Sequence, residues 1–210
     1  MNTFLNNSDV YSDKDKQKII KKAAKYYAKY MDIVLPGWET DPNASDTPLR
    51  VAKAFVLDIA KGLYTPFPKI TAFDNVDGYK GIVLQSNIPV KSLCSHHHQN
   101  IRGLCHVAYI PDPKGKIIGL SKLNRIVSFY SRRPQVQENL TQQIHNAVDK
   151  LCEGNWGVSV LIKAKHECCS HRGVNEDSVM STAVISGKFE TEQKVREELY
   201  SLINGANQNI

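Results

Sequence analysis

The stretch GIVLQSNIPVKSLCSHHHQNIRGLCHVAYI, residues 81–110, decides the fold class of this chain. Its two arms, Gly81 to Val90 and Arg102 to Ile110, alternate apolar and polar side chains with the period of a strand that buries one face. A histidine-rich segment lies between them. Outward from this pair, Asp112-Pro113-Lys114-Gly115 supplies a turn and Lys116 to Leu120 a brief return strand. Helical spacing follows from Ser121 through Leu123, Ile126, Val127 and Tyr130, and again after Pro134 through Val136, Leu140, Ile144, Ala147, Val148 and Leu151. Gly157 to Cys168 and Val179 to Phe189 read as a second pair of strands, and Val195, Leu199 and Leu202 mark a C-terminal helix. Strand pairs separated by helices predict an α+β fold, an antiparallel sheet with helices on one face.

Upstream, residues 1 to 12 read as a disordered polar arm, followed by a helix to about Val34. Lys14, Lys16, Lys18, Lys21, Lys22, Lys25 and Lys29 crowd that helix, while Ile19, Ile20, Ala23, Tyr27, Tyr30 and Met31 form its other face. The net charge of +6 and pI near 9.0 would suit a nucleic-acid partner, but their concentration on one amphipathic helix reads as a solvated face. No nucleic acid and no membrane partner is expected. Thr47-Pro48 gives an N-cap with proline at the first helical position, opening a helix through Leu49, Ala52, Phe55 and Ile59 that Gly62 can end. No run reaches the roughly 18 to 20 apolar residues of a membrane span, and Met1 to Asp9 lacks the features of a secretory signal, so a cytoplasmic protein is expected. Five cysteines, an odd number, then stand free for metal or catalysis.

Cys94 and His97 stand three residues apart in a turn, a spacing that lets sulfur and imidazole nitrogen converge on one tetrahedral ion. Far along the chain, Val158, Val160, Ile162, Ala164, His166 and Cys168 alternate, so strand geometry sends His166 and Cys168 to one face and Cys169 away. That parity selects Cys168 as a third candidate ligand. Three N/S ligands without an obvious fourth form the pattern of a catalytic zinc, which leaves a position for water. His96, His98 and His166 would then be spare imidazoles for proton transfer or ligand orientation. A solvated histidine loop and a buried cysteine pair account for the same residues without any metal.

Gly119 to Arg125 crosses from strand to helix, with Ser121 at an N-cap position and Lys122 and Arg125 following closely. Such a helix start can cradle phosphate, although the glycine-rich run of a Walker loop is missing and an ordinary capped helix is the plainer reading. Arg172-Gly173, just past the cysteine pair, could add a guanidinium. Gln137-Glu138 lies in the first turn of its helix, where acidic residues suit the dipole and where a carboxylate could equally bind a guanine edge.

Together these motifs resemble the GTP cyclohydrolase I family. The matching segments are Thr47 to Lys53, Cys94 to Gly103, Tyr109-Ile110-Pro111, Ile118 to Val127, Arg133 to Glu138 with Leu140-Thr141, and His166-Glu167-Cys168 with Arg172-Gly173-Val174, in family order. The resemblance implies the tunnelling fold, in which sheets of several subunits join into an oligomeric β-barrel, typically a homodecamer, with pockets at subunit boundaries. It implies a catalytic domain over residues 47–190, preceded by an arm, helix and loop over 1–46 and followed by a helix and tail over 191–210. By matching position, Cys94, His97 and Cys168 would hold zinc, His96 and His166 would move protons, and Gln137 and Glu138 would recognise guanine. Ser121, Lys122, Arg125 and Arg172 would meet the triphosphate, with Arg50 and Lys53 arriving from a neighbouring subunit. The implied reaction is hydrolysis of GTP at C8, loss of formate and closure to 7,8-dihydroneopterin triphosphate. A relative that stops at a ring-opened formamidopyrimidine, or a non-catalytic GTP-binding assembly, would share the pattern. One departure stands out: Ser95 replaces the family's usual glutamate, so a neutral hydroxyl stands where a carboxylate normally flanks the metal loop, and His98-Gln99-Asn100 is more polar than usual.

Overall fold

Ser12 opens the first element. Its hydroxyl accepts a hydrogen bond from the Asp15 amide at 3.2 Å while the Asp15 carboxylate accepts one from the Ser12 amide, a capping box that starts helix α1, Asp13–Val34. Such a cap contributes about 1 kcal/mol. The computed structural model describes residues 11–207, so all but the last two residues of the expected polar arm, and Gln208 to Ile210, lie outside the described residues. The lysine face of α1 is largely exposed, as its charge predicts. Its apolar face is less buried than the pattern implies, since Ile20 and Met31 are enclosed but Tyr30 is 55% exposed.

Helix α2, Thr47–Ala54, carries Pro48 in its first turn, but Asp46 rather than Thr47 is the N-cap. Its C-terminal half loosens into a π turn, Phe55–Ile59, and a 3-10 turn, Lys61–Leu63, where the apolar spacing predicts one helix. Ile20, Ala52 and Val56 form a small core between α1 and this segment. The chain divides into two compact units, Met1–Phe67 and Pro68–Ile210.

The second unit contains β1 (Ala72–Asp74), β2 (Val83–Cys94), β3 (Asn100–Ile110), β4 (Lys116–Ile118), α3 (Leu120–Ser131), β5 (Pro134–Gln135), α4 (Gln137–Leu151), β6 (Gly157–His166), α5 (Glu167–Ser170), β7 (Val179–Ile185), α6 (Lys188–Thr191) and α7 (Gln193–Asn207). Five strands form one sheet in the order β5-β2-β3-β6-β7, antiparallel except where the two residues of β5 run parallel to β2. Strands β1 and β4 pair separately. The α+β architecture therefore holds.

A β-bulge in β2 sets which side chains face the core. Gln85 pairs with Val107 and Ile88 with Cys105, so Ser86 and Asn87 together oppose His106, and Asn87 adopts φ 56°. The extra residue reverses the alternation beyond it. Ile88, Val90, Ser92 and Cys94 consequently share the face of Cys105, Val107, Tyr109, Val158, Val160 and Ile162. Helices α3 and α4 cover this face with Leu123, Ile126, Val127, Leu140, Ile144 and Val148, all essentially inaccessible, each worth about 1.5–3 kcal/mol when fully buried.

The expectation of helices on one face needs correcting. Helix α7 places Leu199 and Ile203 against Ala108 and Ile110, whose side chains project from the opposite face, and Phe189 completes that cluster. The sequence pattern identified α7 but not its side, because an amphipathic helix fits either face of a sheet. Strand ends also differ. Strand β6 stops at His166, and the chain turns through α5, with the His171 amide donating to the Glu167 carbonyl at 3.0 Å. Cys168 thus lies on a helical turn, not on the strand whose parity was used to select it. Strand β7 stops at Ile185, with Phe189 carried on α6.

Candidate active site

The ends of β2 and β6, with the starts of β3 and α4, bring several chemically capable side chains to one end of the sheet. Cys94 closes β2 and is 4% exposed. Its amide donates to the Gln99 carbonyl at 2.8 Å, its carbonyl accepts from the His98 amide at 2.9 Å, and His98 takes φ 52°, so residues 95–99 form a tight turn. His96 and His97 lie exposed on this turn with ring centroids 6.4 Å apart. On the facing turn, the Cys168 thiol lies within hydrogen-bonding reach of Cys94 and Cys169, and burial, reinforced by those neighbours, raises its pKa. An ion bound there would reverse that shift, because coordination deprotonates a thiol.

The three expected ligands are therefore only partly gathered. Cys94 and Cys168 meet, whereas among the described residues no three His, Cys, Asp or Glu side chains form a group able to hold an ion. His97 stays on the solvated side of its turn. The donor chemistry still fits zinc: two neighbouring thiols and, three residues from one of them, an imidazole on a turn.

His166 is held by a buried glutamine at this end. Its Nε2 lies 2.8 Å from Gln137 Oε1. The Gln137 amide nitrogen donates to the carbonyls of Ile162 and Met180, each at 3.2 Å, and to Thr182 Oγ1 at 3.0 Å. With its nitrogen so committed, Gln137 presents oxygen to the ring, so His166 carries its proton on Nε2 and keeps a lone pair on Nδ1. Burial holds the His166 pKa below the usual histidine value, partly opposed by Glu138. Gln137 is fully buried, and its amide is spent on these partners, which differs from the expected use of that amide on a guanine edge. Glu138, next in the first turn of α4, is exposed.

A polar tie that sequence reading missed joins the two turns. Glu167 accepts a hydrogen bond from Asn100 Nδ2 at 2.7 Å and lies 3.4 Å from Arg102 Nε. No local signal marks it, because the partners are 67 and 65 residues away. Arg172 follows on the exposed turn beyond α5.

The anion constellation lies elsewhere in the same unit. Gly119, not Ser121, is the N-cap of α3, with extended backbone and no side-chain cap, because Leu120 already starts the helix. Ser121, Lys122 and Arg125 occupy its first turns. The Ile118 amide, just before them, donates to the Tyr109 hydroxyl at 2.9 Å, near the far end of β3. Helix α3 then runs back toward the thiols, ending near the bond of 3.3 Å between Ser92 Oγ and the Arg133 carbonyl. The 12 residues of α3 span about 18 Å, so one chain does not bring Ser121 and Lys122 beside Cys94 and His166. Arg50 pairs with Asp46 at 3.2 Å, and Lys53 is exposed, both within the first unit.

Fold and site together define an α+β protein with a thiol and imidazole centre at one end of an antiparallel sheet. The chain belongs to the GTP cyclohydrolase I family, whose description matches residues 12–204. It is 45% identical over 168 residues to GTP cyclohydrolase 1 of Aeromonas salmonicida, covering 79% of this chain and 76% of that protein. It is 47% identical over 161 residues to the enzyme of the same name from Shewanella denitrificans, covering 76% and 73%. With that of Shewanella baltica it shares 40% over 191 residues, covering 90% of this chain and 85% of the relative. No helix among the described residues is long and apolar enough to cross a membrane.

Proposed function

We propose that this protein is a GTP cyclohydrolase I: it hydrolyses GTP at C8 of the purine, releases formate and closes the product to 7,8-dihydroneopterin triphosphate. Water and GTP supply all the atoms of both products. The observation that carries this reading is the thiol pair Cys94 and Cys168 beside a Gln137-held His166, in a chain of this family.

Cys94, Cys168 and, by rotation of its side chain, His97 would hold zinc. When bound, zinc supplies Lewis acidity that lets water act as a nucleophile at neutral pH. His166 accepts a proton at Nδ1, and Gln137 fixes that tautomer by taking the Nε2 proton in a hydrogen bond. His96, exposed on the opposing turn, exchanges protons with solvent. Glu138 accepts hydrogen bonds from the guanine edge, and Gln137 supports this pairing from beneath rather than through its buried amide.

The triphosphate is met by Ser121, Lys122, Arg125 and Arg172, with Arg50 and Lys53 of a neighbouring subunit, through charge-assisted hydrogen bonds. Because α3 separates Ser121 and Lys122 from the thiols, the pocket needs a second copy of the chain to supply one half. A ring of subunits whose sheets join edge to edge into a barrel, a homodecamer of the tunnelling fold, meets this requirement. Residues 47–190 then form the catalytic domain, with 1–46 and 191–210 as flanking arm and helix, and the cytoplasm, where GTP is made, as the working compartment.

Incubation with GTP should yield equimolar formate and, after oxidation, fluorescent neopterin. Chelation should abolish both and zinc should restore both. Zinc-replete, assembled protein that forms neither product would overturn the reading, and a retained formyl group by mass would replace it with ring opening alone.

A further inference from the structure

We propose that Glu167 is a positioning residue that clamps the two halves of the thiol and imidazole centre together. The centre is built from two turns: residues 95–99 between β2 and β3, and α5 beyond β6. The ladder between β3 and β6 ends at Ile101 opposite His166, so α5 has left the sheet where Cys168 occurs. Glu167 reaches back across this gap. One carboxylate oxygen accepts from Asn100, which follows the histidine turn and opens β3, and the other faces Arg102 on the same strand.

The sequence leaves this role to Glu167. From Cys94 to Gly103 there is no aspartate or glutamate, so the histidine turn has no carboxylate of its own. The Asn100 bond is short, 2.7 Å to a carboxylate oxygen. Arg102 is mostly exposed and adds little on its own, but it fixes the second oxygen and thus the carboxylate plane. Released from this tie, the α5 turn carrying Cys168 is free to move away from Cys94. The inference rests on the metal-binding reading above.

Zinc affinity of the assembled protein, measured by competition with a chromogenic chelator, tests the clamp. Glu167→Ala should weaken zinc by about tenfold or more, the usual consequence of removing a group that orients metal ligands. Asn100→Ala should do the same, and the double variant should be no weaker than either single one, because both remove one interaction. Glu167→Gln, which keeps an acceptor for Asn100, should recover most of the affinity. If Glu167→Ala misassembles, the comparison of Asn100→Ala with Glu167→Gln carries the test. Unchanged affinity in the variants, or additive losses in the double, would overturn the clamp while leaving the metal reading intact. Failure of the unaltered protein to bind zinc would overturn that reading and the clamp with it.

Discussion

His166 and Gln137 are joined by a hydrogen bond of 2.8 Å, and the same glutamine amide donates to three further acceptors on β6 and β7. A buried amide thus decides which nitrogen of an imidazole carries its proton. The consequence is a division of labour. His166→Ala should reduce kcat by about 10²–10⁴, the usual contribution of a general acid or base. Gln137→Ala should cost less, about tenfold, with KM for GTP little changed, since the imidazole remains but both tautomers become available. An equal loss in KM would assign Gln137 to substrate binding instead.

The separation of Ser121 and Lys122 from Cys94 and His166 along α3 predicts intersubunit complementation. Lys122→Ala and His166→Ala proteins should each be nearly inactive. After dissociation and reassembly as a mixture, about one site in four regains both intact halves, so activity should return toward a quarter of the unaltered level. Mixtures no more active than their components would place both halves in one chain.

Asn87, at φ 56° in the bulge of β2, predicts a backbone-dependent stability pattern. Asn87→Gly should be nearly neutral, whereas Asn87→Val should lower stability by about 1–2 kcal/mol, because a β-branched side chain resists the left-handed region. Denaturant midpoints measure both. Equal midpoints would mean that the strand runs without this bulge.

His106 is 3% exposed, and its Nδ1 has no hydrogen-bond partner among the described residues. Burial, with Lys163 adding to it, holds its pKa below the ordinary histidine value of 6.5. The folded protein therefore protonates at lower pH than the unfolded chain. Stability from this group is present above about pH 6.5 and is lost as the pH falls from there toward the folded value. His106→Leu should flatten the stability profile in this interval by at most about 1.4 kcal/mol per pH unit. A profile as steep as before would assign the acid sensitivity to other groups.

Much of the fold was legible in local pattern. Alternation over residues 81–110 and the apolar stripes of α3 and α4 depend on neighbours a few positions apart, and these elements formed close to where the spacing predicts. Errors gathered at ends and at choices of face. Gly119 replaced Ser121 as a cap, β6 stopped two residues before Cys168, and α7 covered the face opposite α3 and α4. The side taken by α7 was decided by Ala108 and Ile110, distant in the chain, which local periodicity does not encode.

For the site, the residue types and their order along the chain were determined by the sequence itself: thiols and imidazoles at 94–97 and 166–168, cations at 121–125, and Gln137-Glu138 at a helix start. Which of them meet was decided by the tertiary structure. The bulge at Ser86 and Asn87 turns Cys94 to the helix-covered face, α4 seats Gln137 beneath His166, and α3 holds Ser121 away from both. The physical reason is that one inserted residue reverses strand parity, and that hydrogen bonds across 29 or 67 positions exist only once helices have packed on the sheet.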